Sequence, residues 1–87
     1  MAFTYVYILR MDNGQYYTGY TSDLKRRVRE HTKGSVSSTS RRLPVKLIHY
    51  EAYALASDAR RREKFLKSTE GKRLLRQQIR DVMQSEE

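Results

Sequence analysis

Residues 3–21 read Phe3-Thr-Tyr-Val-Tyr-Ile-Leu-Arg10-Met-Asp-Asn-Gly14-Gln-Tyr-Tyr-Thr-Gly-Tyr-Thr21. The run from Phe3 to Arg10 is rich in β-branched and aromatic residues and predicts a strand. Asp12-Asn13-Gly14 is a strong hairpin signal, because these residue types accept the backbone angles of tight turns. Gln15 to Thr21 is then the return strand. Side chains alternate faces along a strand, so Tyr5, Tyr7 and Leu9 share one face. Whether Tyr17 joins them depends on the turn. A two-residue Asn13-Gly14 loop pairs Arg10 with Tyr17 and sends Tyr7 and Tyr17 to opposite faces. A three-residue loop with Gly14 left-handed in a G1 bulge pairs Leu9 with Tyr17. Tyr7 and Tyr17 are then diagonal neighbours on one face, about 7–8 Å apart at the backbone. The turn chemistry allows both. A shared role for the two rings requires the odd-length loop; otherwise they are structural cover for a thin core.

Beyond the hairpin, Ser22 or Asp23 can cap a helix running to about Lys33, with Leu24, Val28 and His31 on one stripe. Gly34 to Ser40 is a polar, flexible loop. Pro44 precedes a third strand, from about Val45 to Tyr53. Ser57 or Asp58 opens a second helix to about Lys67, and Ser68 to Gly71 breaks the pattern. A third helix spans about Lys72 to Met83, with Leu75, Ile79, Val82 and Met83 apolar. Glu86 and Glu87 are expected to fray. The order ββαβαα predicts an α/β chain of the α+β kind: a small three-stranded antiparallel sheet flanked by three helices. With 87 residues the chain is expected to form one domain, residues 1–87. A domain of this size buries only about 60–65% of its unfolded surface, so its core is thin.

The net charge of +8 points to a polyanionic partner. Lys33 to Lys46 holds four basic residues and no acid, and Arg60 to Arg80 holds nine against Glu63 and Glu70. Lys33, Arg41, Arg42, Lys46, Arg60 and Lys67 are the candidate phosphate contacts. The plainer reading is a solvated, solubilising surface. Seven tyrosines add groups that stack on bases or bond phosphate. The chain has no cysteine and two histidines, which argues against disulfides and a structural zinc site. That composition suits a reducing cytosol. The apolar run at the N-terminus is too short for a membrane span, and no membrane partner is expected.

Two further groups can carry chemistry. Arg27 and His31 lie four apart on the first helix, one above the other, at the edge of the apolar stripe. An arginine and a histidine there can bind phosphate and orient or shuttle a proton. The plainer reading is a solvated basic helix, which fits Lys25, Arg26 and Arg29 better than Arg27. Ala59, Glu63 and Leu66 fall at i, i+4 and i+7, so Glu63 shares a face with apolar residues. A glutamate there needs a partner, either an arginine or a metal. One carboxylate with open positions suits Mg2+, which keeps several waters.

Together these stretches resemble the GIY-YIG nuclease superfamily. Tyr5-Val6-Tyr7 and Tyr17-Thr18-Gly19 look like its paired tripeptides. Tyr17 through His31 looks like its second strand and first helix, and Ala59-Arg-Arg-Arg-Glu63-Lys-Phe-Leu-Lys67 like its metal-binding helix. The likeness spans about residues 3 to 67 and is nearest to the short, stand-alone bacterial single-domain members. Tyr5 stands where glycine is usual and Thr18 where isoleucine or valine is. Asn13, in the turn, is the chain's one asparagine, whereas many members carry one after the metal glutamate. The resemblance implies a cytoplasmic, metal-dependent endonuclease hydrolysing phosphodiester bonds in DNA, in repair or processing, with Mg2+ or Mn2+ as cofactor. It implies that Tyr7 or Tyr17 orients or deprotonates the attacking water and that Arg27 stabilises charge on the phosphoryl oxygens. It implies further that His31 bonds the phosphate or a tyrosine, and that Glu63 holds the metal. The competing readings are a catalytically silent nucleic-acid-binding module on the same scaffold, and a basic domain that meets an acidic protein.

Overall fold

In a computed structural model of the chain, residues 2–85 are described. Two strands, β1 (Thr4–Arg10) and β2 (Tyr16–Thr21), are followed by helix α1 (Leu24–Thr32) and strand β3 (Lys46–Tyr53). Helices α2 (Ala56–Leu66), α3 (Thr69–Gln78) and α4 (Arg80–Gln84) complete the fold. The sheet is antiparallel, in the order β2-β1-β3. This is the expected α+β architecture, with one refinement. The third helix begins three residues earlier than the sequence suggests, because the Ser68 side chain accepts from the Gly71 N–H at 3.0 Å and caps it. It then breaks at Ile79, which leaves α4 as a separate short turn. Glu86 and Glu87, expected to fray, lie outside the described residues.

The hairpin settles the parity question. Leu9 pairs with Tyr17 and Tyr7 with Gly19. The Met11 N–H donates to the Gln15 carbonyl at 2.8 Å and the Gly14 N–H to the Met11 carbonyl at 3.0 Å. Gly14 has φ 82°, so the loop is Asp12-Asn13-Gly14 with a left-handed glycine closing it. On the other side of β1, Ile8 pairs with His49 and Leu9 with Leu47, so Ile48 is the extra residue of a bulge.

The two faces of the sheet bury different groups. Val6 and Ile8 meet Ala59, Leu66 and Leu75 from α2 and α3 in the main core. Tyr7 and Leu9, on the opposite face, are equally buried. The central strand is therefore covered on both sides, and four successive residues of it, Val6 to Leu9, are buried. The Arg10 guanidinium donates to the carbonyls of Val82 and Met83, at 2.9 and 3.1 Å, and ties α4 to the strand.

One carboxylate holds the layers together. Glu51 on β3 accepts from Arg62 Nε at 2.9 Å and Nη2 at 3.2 Å, and from the Tyr53 hydroxyl at 2.7 Å. His49 Nε2 lies 2.9 Å away. Burial alone would raise the Glu51 pKa, but hydrogen bonds from Arg62, His49 and Tyr53, with the charge of Arg62, bring it down to about 2. The folded pKa lies below the unfolded one, so the stabilisation is present above pH 4.5 and is lost as pH falls towards 2. It amounts to about 3 kcal/mol. In urea titrations from pH 6 to pH 2, Glu51→Gln should be less stable at pH 6 and show a shallower acid decline. An acid decline as steep as the wild type's would refute this assignment.

Candidate active site

The diagonal placement of Tyr7 and Tyr17 brings their ring centroids to 6.3 Å. His31, one helix away, closes a triangle with them, at 5.6 Å from Tyr7 and 5.1 Å from Tyr17. His31 is fully buried, as are Tyr7 and Thr39. Its Nε2 lies 2.8 Å from the Tyr7 hydroxyl and its Nδ1 lies 2.7 Å from the Thr39 hydroxyl. Arg27 lies one turn before His31, near enough for its charge to act on Tyr7. With the phenol O–H donating to His31 Nε2 and Nδ1–H donating to Thr39, or with both bonds reversed, each ring nitrogen has a partner.

Electrostatics hold the cluster neutral apart from Arg27. Burial pushes the Tyr7 pKa up, and the charge of Glu63 adds to that, against the lowering effect of Arg27. Burial, then the charge of Arg27, pushes His31 down. The charge of Arg27 favours a phenolate at Tyr7, but burial outweighs it, and the ring is held as the phenol. Arg27 itself is held charged, first by Tyr7 and then by Glu30, to which Nη1 donates at 3.0 Å. Its side chain is 36% exposed, so donors remain for a ligand.

Glu63 approaches from α2, which packs against β1 and β2, and its charge is felt at Tyr7. Its side chain is only 18% exposed. Its partner is Lys67, four residues on, not an arginine. Among the described residues no group of three or more His, Cys, Asp or Glu stands together. The donor set therefore does not form an all-protein metal cage. A single sheltered carboxylate that already carries a cation does fit Mg2+ or Mn2+, which take one carboxylate and keep their waters.

Tyr7, Tyr17, Arg27, His31 and Glu63 thus lie together, with Lys67 joining them through Glu63. Lys33, Arg41, Arg42 and Arg60 are exposed and stand apart in the chain, on the end of α1, the following loop and α2. Lys46 is exposed at the first position of β3. Two participants escape the sequence reading. Thr39 sits in the loop expected to be flexible, yet it and Val36 are buried. The sole signal is that Val36 is the one apolar residue among the serines. Gly19 appears in the sequence as part of a tripeptide, but its reason is steric. A Cβ there would lie 2.5 Å from Tyr7 Oη and 2.6 Å from its Cζ. The Tyr7 ring crosses the edge strand over bare backbone.

Comparisons with known proteins give the family. Residues 3–77 match the GIY-YIG catalytic domain. The chain is 42% identical over 83 residues to a UPF0213 protein of Haloquadratum walsbyi, covering 92% of this chain and 93% of that one. It is 44% identical over 64 residues to a UPF0213 protein of Streptococcus agalactiae, covering 72% and 73%. The solution NMR structure of a UPF0213 protein from Bacillus halodurans superposes with a TM-score of 0.58 at 35% identity, covering 88% of this chain and 85% of that one. The chain belongs to the GIY-YIG family, a family of nuclease catalytic domains that generally use divalent metal ions. Among the described residues no helix is long and apolar enough to cross a membrane.

Two substitutions test the buried cluster. Thr39→Val keeps the shape but leaves His31 Nδ1 without a partner, and should cost about 1–3 kcal/mol in urea unfolding. Gly19→Ala must displace the Tyr7 ring and should cost a similar amount, about 1–3 kcal/mol. Wild-type stability in either would contradict the packing described.

Proposed function

We propose that the protein is a metal-dependent nuclease that hydrolyses phosphodiester bonds in DNA, in repair or processing. The observation that carries this is the meeting of two tyrosines, a neutral histidine, a partly exposed arginine and a sheltered carboxylate at one place. Phosphodiester hydrolysis needs positioning and charge neutralisation more than covalent chemistry. A divalent ion held by Glu63 would polarise the phosphate and support the leaving 3′ oxygen.

The protein's own groups do the rest. Arg27 presents its remaining donors to the phosphoryl oxygens. Tyr17 is less buried than Tyr7, so its hydroxyl is the one placed to orient the attacking water. Tyr7 is the positioning group, its hydroxyl fixed on His31 beside the charge of Arg27. Its proton can pass to His31 Nε2, leaving a phenolate beside Arg27. From the ordinary pKa values that transfer is uphill by about 5 kcal/mol, and both shifts here widen the gap. The proton therefore stays on Tyr7 until a substrate changes the local charge. The net charge of +8, with exposed Lys33, Arg41, Arg42, Lys46 and Arg60, supports a nucleic-acid phosphate backbone as the partner.

The test is cleavage of supercoiled, single-stranded and branched DNA with Mg2+ or Mn2+. Glu63→Gln and Tyr17→Phe should each lower the rate by about 100-fold or more, with DNA affinity within about threefold. Cleavage of no substrate, or cleavage indifferent to Glu63→Gln, would sink the reading. The resting pairing of Glu63 with Lys67 favours one alternative, a catalytically silent DNA-binding module. That alternative predicts salt-sensitive binding without product, unchanged or tightened by Glu63→Gln.

A further inference from the structure

We propose that Lys67 is the resident cation of Glu63: its ammonium and a divalent ion compete for one carboxylate, and the displaced lysine moves onto the substrate's phosphate. The inference deepens the nuclease reading and rests on it.

The protein holds two sheltered carboxylates, and their partners differ in kind. Glu51, 16% exposed, is saturated by a two-pronged arginine, a tyrosine hydroxyl and a histidine. Those donors are planar or ring-bound and cannot leave without orphaning a buried charge. Glu63, 18% exposed, has one ion-pair partner, and that partner is a lysine whose own side chain is 53% exposed. A flexible ammonium on a four-carbon stem can be exchanged. The other acids paired within the helices are more open, at 39% for Glu30, 49% for Asp58, 60% for Glu70 and 99% for Asp81. Water already screens those pairs. Among the described residues, only at Glu63 does a single mobile cation stand on a carboxylate that water reaches poorly.

Position links this exchange to substrate. Lys67 lies at i+4 from Glu63, one turn along the helix. Once released, its ammonium stays tethered one turn from Glu63, whose charge acts on Tyr7. The phosphate is the anion that arrives there. Metal and DNA would therefore help each other bind, by an equal factor in both directions.

The experiment titrates Mn2+ into the full chain, following free Mn2+ by electron paramagnetic resonance, for wild type, Lys67→Met and Glu63→Gln. Lys67 is half exposed, so its substitution should leave the fold intact, as a thermal melt will check. Lys67→Met should bind Mn2+ roughly fivefold tighter than wild type, the scale of one partly exposed ion pair. Glu63→Gln should abolish that binding. Equal or weaker binding by Lys67→Met, binding that survives Glu63→Gln, or no binding by any protein at millimolar Mn2+ would overturn the competition. A second arm measures affinity for a short DNA duplex with and without Ca2+. The gain on adding Ca2+ should be larger in wild type than in Lys67→Met; equal gains would overturn the transfer to phosphate. These readouts need no cleavage. A chain that binds Mn2+ as described yet cuts no DNA would refute the nuclease reading and leave the competition standing.

Discussion

Gly14 holds φ at 82°, and that one backbone angle sets how the two tyrosine strands register. A left-handed residue closing a three-residue loop pairs Leu9 with Tyr17. Every odd residue of β1 then shares a face with Tyr17 and Gly19. One residue fewer in the loop would turn Tyr17 to the other face, away from His31 and Arg27. The site is therefore a consequence of the register, and the register of the turn. Gly19 completes the arrangement, since only bare backbone lets the Tyr7 ring lie across the edge strand.

At Tyr7 desolvation and the charge of Arg27 pull against each other, and desolvation wins; at His31 the two act together. Tyr7 is held as a phenol and His31 as a neutral imidazole. A neutral relay with one fixed cation is a stable resting state. It wastes no free energy on a buried phenolate, and it leaves the positive charge where an incoming phosphate would meet it. The hydrogen bond between His31 and Thr39 fixes how the imidazole is oriented.

The two sheltered glutamates show how similar burial serves different ends. Glu51 is locked by three donors from β3 and α2 and holds the layers of the fold together. Glu63 has a single flexible ion-pair partner on its own helix. The first is built to stay as it is, and the second to change partners.

Much of this was legible in the sequence. Strand and helix periodicity placed the elements in order, and the i, i+4 spacings put Arg27 above His31 and Glu63 on an inward face. The paired tripeptides with the helices that follow identified the family. Three matters were not legible, for one reason: local chemistry left more than one answer open at each. The length of the turn decided whether Tyr7 and Tyr17 met, and local chemistry permitted two answers. Thr39 acquired its role from a contact with His31 that no periodicity marks. Glu63 found its partner among many nearby cations only when α2 formed and packed. The sequence by itself determined which residues could do the chemistry. Tertiary structure decided which of them touch, because register, burial and side-chain reach are properties of the packed sheet and helices rather than of any local run.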